Sequence, residues 1–210
     1  MKNYYLLSVI SLVLMSCNNT QSSKVEDVQE TESSSPHTNV YLQPFDSFTQ
    51  KEAEKLKADL DKHLGKILDR TFKVEILPNK HLSDSFLGEY KIKYRGDKII
   101  HSLRNDCDPE NIIIGLTHKD ICVSQRNGVK DWGVLGVSIS RDHACVVSSH
   151  RVKNKSRDLW KVATHEFIHT YYHFPHCAKD STHCIMKDAK GKADFSNKND
   201  LCGYCKSKIG

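Results

Sequence analysis

Apolar and polar positions along this chain follow two alternating periods, and each change of period marks an element. Thr49-Gln50-Lys51-Glu52 reads as a capping box, in which a hydroxyl and a carboxylate satisfy each other's free backbone N–H groups at a helix start. It opens an amphipathic helix predicted to run to Asp69. From Phe72 to Leu77 the pattern switches to the alternation of a strand. A second helix is expected over Asp97 to Arg104, then an apolar strand at Ile112 to Leu116 and a weaker one at Ile121 to Ser124. Extended runs follow near Trp132 to Ser138 and Ala144 to His150, and a last long helix over Ser156 to Tyr172. Helices interleaved with strands in this way predict an α/β (α+β) sandwich built on a mixed β-sheet.

The N-terminal residues do not belong to that pattern. Residues 1–17 carry a single Lys2 and an apolar run from Tyr5 to Met15, too short to span a bilayer, which reads as a signal peptide. Leu14-Met15-Ser16-Cys17 resembles a bacterial lipobox, predicting that Cys17 is lipidated and becomes the mature N-terminus; a plain signal peptide is the alternative. Residues 18–38 are rich in Ser, Thr, Glu and Asn and hold no aromatic residue, the composition of a disordered tether. Residues 39–210 are the right length for one domain with one core. The expected location is therefore the bacterial cell envelope, with a monomer held to a membrane by its N-terminal lipid. A net charge of +5 is too small to imply a nucleic-acid partner. The basic run Arg151, Lys153, Lys155, Arg157 reads as a solvated turn ahead of the last helix.

That helix carries the chemistry. In His165-Glu166-Phe167-Ile168-His169 the two histidines are four residues apart, so they share a helix face and can offer two imidazole nitrogens to one metal ion. Glu166 is rotated by one residue toward the same cleft, where it suits a general base for water activated by a catalytic zinc. The bland alternative is an amphipathic helix with half-buried, hydrogen-bonded histidines. Downstream lie His176-Cys177, Cys184-Ile185-Met186 and Cys202-Gly203-Tyr204-Cys205. The four cysteines Cys177, Cys184, Cys202 and Cys205 have the number and pairing of a closed structural zinc site. Two disulfides are the rival arrangement, which an oxidising compartment favours.

This C-terminal block resembles the archaemetzincins, zinc peptidases whose signature is HExxHxxGxxHC followed by CxM and a CxxC. Seventeen residues separate Cys184 from Cys202, as in that family. The resemblance extends upstream to Ile112-Ile113-Ile114-Gly115-Leu116-Thr117, Lys119-Asp120-Ile121 and Trp132-Gly133-Val134-Leu135-Gly136, and covers roughly residues 38 to 210. It implies a metzincin-like fold with a C-terminal four-cysteine zinc subdomain. It also implies two zinc ions per chain, one catalytic on His165, His169 and His176 and one structural on the four cysteines. Met186 takes the place of the family's Met-turn, a hydrophobic floor under the histidines. Ala144 to Ser149 is the implied edge strand that pairs with extended substrate.

Two departures fall in the third-ligand region. The family's Gly is absent, with Tyr172 or His173 in its place, and six residues separate His169 from His176 where the family has five. His173 is thus a rival third ligand, although His also tolerates the positive φ that a turn there requires. The spacing from Cys177 to Cys184 is two residues longer than in the family. The reading that follows is a zinc-dependent metallopeptidase acting on a peptide or protein substrate, with Glu166 taking the proton of the attacking water and a tyrosine, Tyr171, Tyr172 or Tyr204, assisting the oxyanion. A catalytically inactive zinc-binding envelope lipoprotein is the alternative, and a disulfide-stapled lipoprotein without metal a third. Cys107, Cys122 and Cys145 stand outside the zinc set, odd in number, and the sequence does not choose a pair among them.

Overall fold

The computed structural model describes residues 38–106, 108–124, 128–139, 142–189 and 195–209. Cys17, the signal peptide, residues 18–37 of the tether and Cys107 lie outside the described residues.

The first strand, β1 (Asn39–Pro44), is followed by helix α1 (Gln50–Leu68), which begins at the expected capping box: the Thr49 side chain accepts from the Glu52 N–H, and Glu52 accepts from the Thr49 N–H at 2.9 Å. Glu52 also meets the ring of His118 at 3.1 Å, and the other ring nitrogen of His118 meets the Ser149 hydroxyl at 2.5 Å. The cap of α1 is thereby tied to the chain that follows two central strands. At the other end Asp69 turns left-handed, at φ 50°, and stops the helix. Then come β2 (Lys73–Ile76), the short β3 (Tyr94–Arg95), α2 (Gly96–Arg104), β4 (Ile112–Thr117), β5 (Ile121–Val123), β6 (Trp132–Val134), β7 (Gly136–Ser138) and β8 (Ala144–Ser148). Helix α3 (Lys155–Tyr172) and a short α4 (Gly203–Ile209) complete the chain.

Five strands form the main sheet in the order β2-β1-β4-β8-β7, parallel except for β7, which runs antiparallel to β8. Every residue of β4 is buried, as a central parallel strand covered on both faces requires. Its side chains alternate between two cores: Ile112, Ile114 and Leu116 pack with Leu60 and Leu64 of α1 and Phe167 and Ile168 of α3, whereas Ile113 packs with Ile99, Ile100 and Leu103 of α2. Gly115 lets α2 come close, since a Cβ there would lie 2.9 Å from Leu103. The result is a three-layer α/β sandwich with a mixed sheet. A separate three-stranded sheet, β3-β5-β6, flanks it.

Two expectations need correction here. The stretch Trp132 to Ser138 is not one strand: β6 pairs antiparallel with β5, the chain crosses at Leu135, and β7 joins the main sheet. Ala144 to Ser149 is not the edge strand. Its strand β8 is buried throughout and hydrogen-bonded on both sides, to β4 and β7, so it has no free edge. The edge beside Glu166 is β7, Gly136–Ser138; β2 is the opposite edge.

Candidate metal centre

Helix α3 is buried around nearly its whole girth, with every residue from Asp158 to Ile168 out of solvent. Polar side chains on such a helix must find partners inside the protein. Lys161 does so by a 3.0 Å ion pair with Asp158 and a 2.7 Å bond to the carbonyl of Phe195, which fastens the helix to the C-terminal segment. The histidines do so through their backs. Nδ1 of His165 faces the carbonyl of Ile185 at 2.8 Å, and Nδ1 of His169 faces the carbonyl of Phe174 at 2.5 Å. A carbonyl oxygen only accepts, so each Nδ1 carries the proton and each Nε2 carries a lone pair. These two Nε2 atoms stand 3.0 Å apart. Two acceptors at that distance repel unless a cation lies between them.

His176 completes the cluster. Its ring centroid is 5.2 Å from that of His165 and 4.7 Å from that of His169, and one nitrogen from each of the three rings falls within 4.8 Å of the others. His173, the rival, is the residue that ends α3: it adopts φ 51°, ψ 29°, the left-handed turn that the absent Gly would supply, and stands outside the cluster. Burial, followed by the neighbouring imidazoles, holds His165 down at about 3; burial also holds His169 at about 4. Both are thus neutral ligand-type imidazoles at ordinary pH. Three converging imidazoles, two of them neutral with their lone pairs turned inward, are the donor set that suits zinc.

Glu166 is buried beside them. Burial pushes its carboxyl up to about 8, against a hydrogen bond from Ser138 that favours the ionised form. The edge strand makes room for it through Gly136, where a Cβ would lie 2.6 Å from the Glu166 side chain. A cleft of about 730 Å³ opens over Glu166 and the three histidines, walled by β6, β7, the turn around His173 and the side chains of Asp188, Ala189 and Phe195. None of Tyr171, Tyr172 and Tyr204 lines it. Tyr171 packs on Phe72 and Phe167, Tyr172 packs on Tyr171, and Tyr204 sits under the Lys179 ammonium.

Behind the cleft the four sulfurs of Cys177, Cys184, Cys202 and Cys205 gather within 4.8 Å of one another. The pairs Cys177–Cys202 and Cys184–Cys205 are each 3.6 Å apart, and all four are free thiols. A disulfide requires about 2.05 Å, whereas four thiolates on a zinc at about 2.3 Å are separated by about 3.8 Å. The spacing fits the metal. The Cys202 N–H also points at the sulfur of Cys184, at 3.4 Å. Cys122 and Cys145 are free and buried, so neither pairs with the other. Met186 is fully buried next to Ile185, whose carbonyl holds His165, and its own carbonyl accepts from the Cys177 N–H at 2.8 Å. One short segment thus fastens both clusters.

Arg151 is the cleft residue whose role the sequence does not announce. It does lie in an exposed turn ahead of α3, as expected, but it also lines the cleft and is paired with Asp120. The signal was not local, because Asp120 lies 31 positions upstream. Ser138 and Gly136 were missed for the same reason.

No protein-family model matches the sequence, and no curated protein matches it. The fold does have relatives among solved structures. The crystal structure of archaemetzincin from Methanopyrus kandleri superposes with a TM-score of 0.62 at 19% identity, over 83% of this chain and 94% of that one. The malonate complex of archaemetzincin from Archaeoglobus fulgidus gives 0.59 at 23% identity, over 81% and 99%. The chain has an archaemetzincin-like fold.

Proposed function

We propose that this protein is a zinc-dependent peptide hydrolase, with His165, His169 and His176 holding the catalytic ion and Cys177, Cys184, Cys202 and Cys205 a structural one. The observation that carries the reading is the pair of facing Nε2 lone pairs, fixed by two backbone carbonyls, with a buried carboxylate one residue away. Zinc in that position supplies Lewis acidity, making water a nucleophile near neutral pH and drawing charge from a carbonyl oxygen.

The chain's own residues do the rest. Glu166 accepts the proton of the attacking water and returns it to the departing amine, and a bound cation beside it would keep its carboxylate ionised and ready to accept. Ser138 holds one carboxylate oxygen and so orients the other. The free edge of β7 aligns an extended peptide across the cleft by main-chain hydrogen bonds. The carbonyls of Ile185 and Phe174 keep the two helix imidazoles in one tautomer throughout. Lipidation at Cys17, inferred from the lipobox, would hold this domain at the cell envelope.

The test is metal dependence on both counts. Full-length protein should hold about two zinc ions per chain by mass spectrometry under native conditions, lose peptide cleavage on chelation and regain it with added zinc. Cleavage that persists in fully chelated protein would refute the reading.

A further inference from the structure

The cleft offers a fixed cation that the hydrolytic machinery does not use. Arg151 follows β8, and its guanidinium lies across Gly133 of β6 so closely that a Cβ at 133 would sit 2.3 Å from Nη2. Only glycine leaves that space. Asp120 takes Nε and Nη2 in two parallel bonds of 2.7 Å each, so the planar group is clamped in place. That fork leaves Nη1 with two N–H groups and, among the described residues, no hydrogen-bond partner. The side chain is 40% exposed, and Arg151 is the only Lys or Arg among the described residues that line the cleft.

We propose that Arg151 recognises a carboxylate of the substrate, a free C-terminus or an acidic side chain, near the scissile bond. The proposal rests on the peptide-hydrolase reading and adds a specificity to it. The reach follows from the chain itself: Gly136 touches Glu166, Gly133 touches Arg151, and three residues span at most about 10 Å. The carboxylate therefore belongs within two or three residues of the bond that is cut. A guanidinium already holding one carboxylate through Nε and Nη2 can bind a second through Nη1, since it carries five N–H donors in one plane and is always charged.

Three peptides of one apolar sequence test this with the full-length, zinc-loaded protein: one with a free C-terminus, one amidated, and one amidated with Glu at the third position past the cleaved bond. The wild type should cut one of the two carboxylate peptides roughly tenfold more efficiently than the neutral amide, through KM rather than kcat. Which of the two is preferred identifies the source of the carboxylate. In the double variant Arg151→Gln/Asp120→Asn, which keeps a neutral hydrogen-bonded pair and so protects the fold, that ratio should fall to about one. Equal cleavage of all three by the wild type, or a preference that survives in the double variant, overturns the proposal. Calorimetric binding of the same peptides to zinc-loaded Glu166→Gln protein gives the carboxylate preference without turnover. Absence of cleavage therefore counts against hydrolysis, while absence of a binding difference counts against Arg151.

Discussion

The two donor clusters are built by opposite strategies. The histidine cluster stands on a helix that the rest of the protein surrounds, and two of its three rings are locked by backbone carbonyls whether or not an ion is bound. The cysteine cluster draws its sulfurs from a C-terminal tail whose helix, α4, is seven residues long. The first is preorganised on a long buried helix; the second is gathered from a short tail that joins the same core through Ile185, Met186, Phe195 and Leu201 but has only one short helix of its own. A site of the first kind tolerates loss of its ion, and a site of the second kind folds with it. The two are joined at Met186, Cys177 and His176, so failure of the tail should reach the cleft, while the reverse need not hold.

Breaking the tail should therefore have the largest effect. Cys184→Ser removes a fully buried sulfur from the cluster, and we expect loss of one zinc, a fall in Tm of more than about 10 °C and loss of cleavage together. If the variant keeps its Tm and only its zinc content changes, the tail is not metal-dependent. His176→Ala should cost one zinc and cleavage while leaving Tm within about 4 °C of wild type, because its helix partners are held from behind. A Tm collapse as deep as that of Cys184→Ser would erase the distinction between the clusters. Gly136→Ala places a methyl 2.6 Å from Glu166. Cleavage should drop at least about tenfold with zinc retained, since a small misplacement of a catalytic group is costly; unchanged turnover would mean Glu166 has slack.

Acid and base responses sharpen the same contrast. With zinc removed, His165 at about 3 and His169 at about 4 stay neutral in the fold where the unfolded chain takes up protons below 6.5. Their contribution to stability is thus present above 6.5 and lost as pH falls toward 4. Glu166 works in the other direction: at about 8 in the fold against 4.5 unfolded, it makes stability fall as pH rises across that window. Urea titration of the zinc-free protein should show a stability maximum near pH 6.5, with a decline of up to about 1.4 kcal/mol per pH unit above it. Zinc should flatten that decline, since a cation beside Glu166 holds its carboxylate ionised in the fold as well. The smallest effect belongs to His173→Gly. It relieves a left-handed residue and should stabilise by no more than about 1 kcal/mol with zinc content unchanged; loss of a zinc there would make His173 a ligand.

Local spacing made much of this legible. The capping box at Thr49, the two periods, the helix that bears His165 and His169, and the cysteine pairs are all short-range patterns, and each is set by the geometry of one element. What stayed hidden depends on residues far apart. β1 is an unremarkable six residues that become central only because β2 and β4 pair with it from either side. Whether β7 or β8 is the edge depends on where the chain crosses between sheets at Leu135, and nothing in Trp132 to Ser138 announces that crossing. Arg151 looked like one charge in a basic run. Only the approach of Gly133 and Asp120 turned it into the cleft.

The most direct measurement of the central claim is a paired count on Glu166→Gln: zinc per chain and rate of peptide cleavage, beside the wild type. Glutamine keeps the shape of Glu166 but takes no proton from water, so zinc content should match the wild type while cleavage falls roughly 10²–10⁴-fold. Cleavage at the wild-type rate with zinc in place would contradict the assignment of Glu166 as the base and, with it, the hydrolytic account of the cluster.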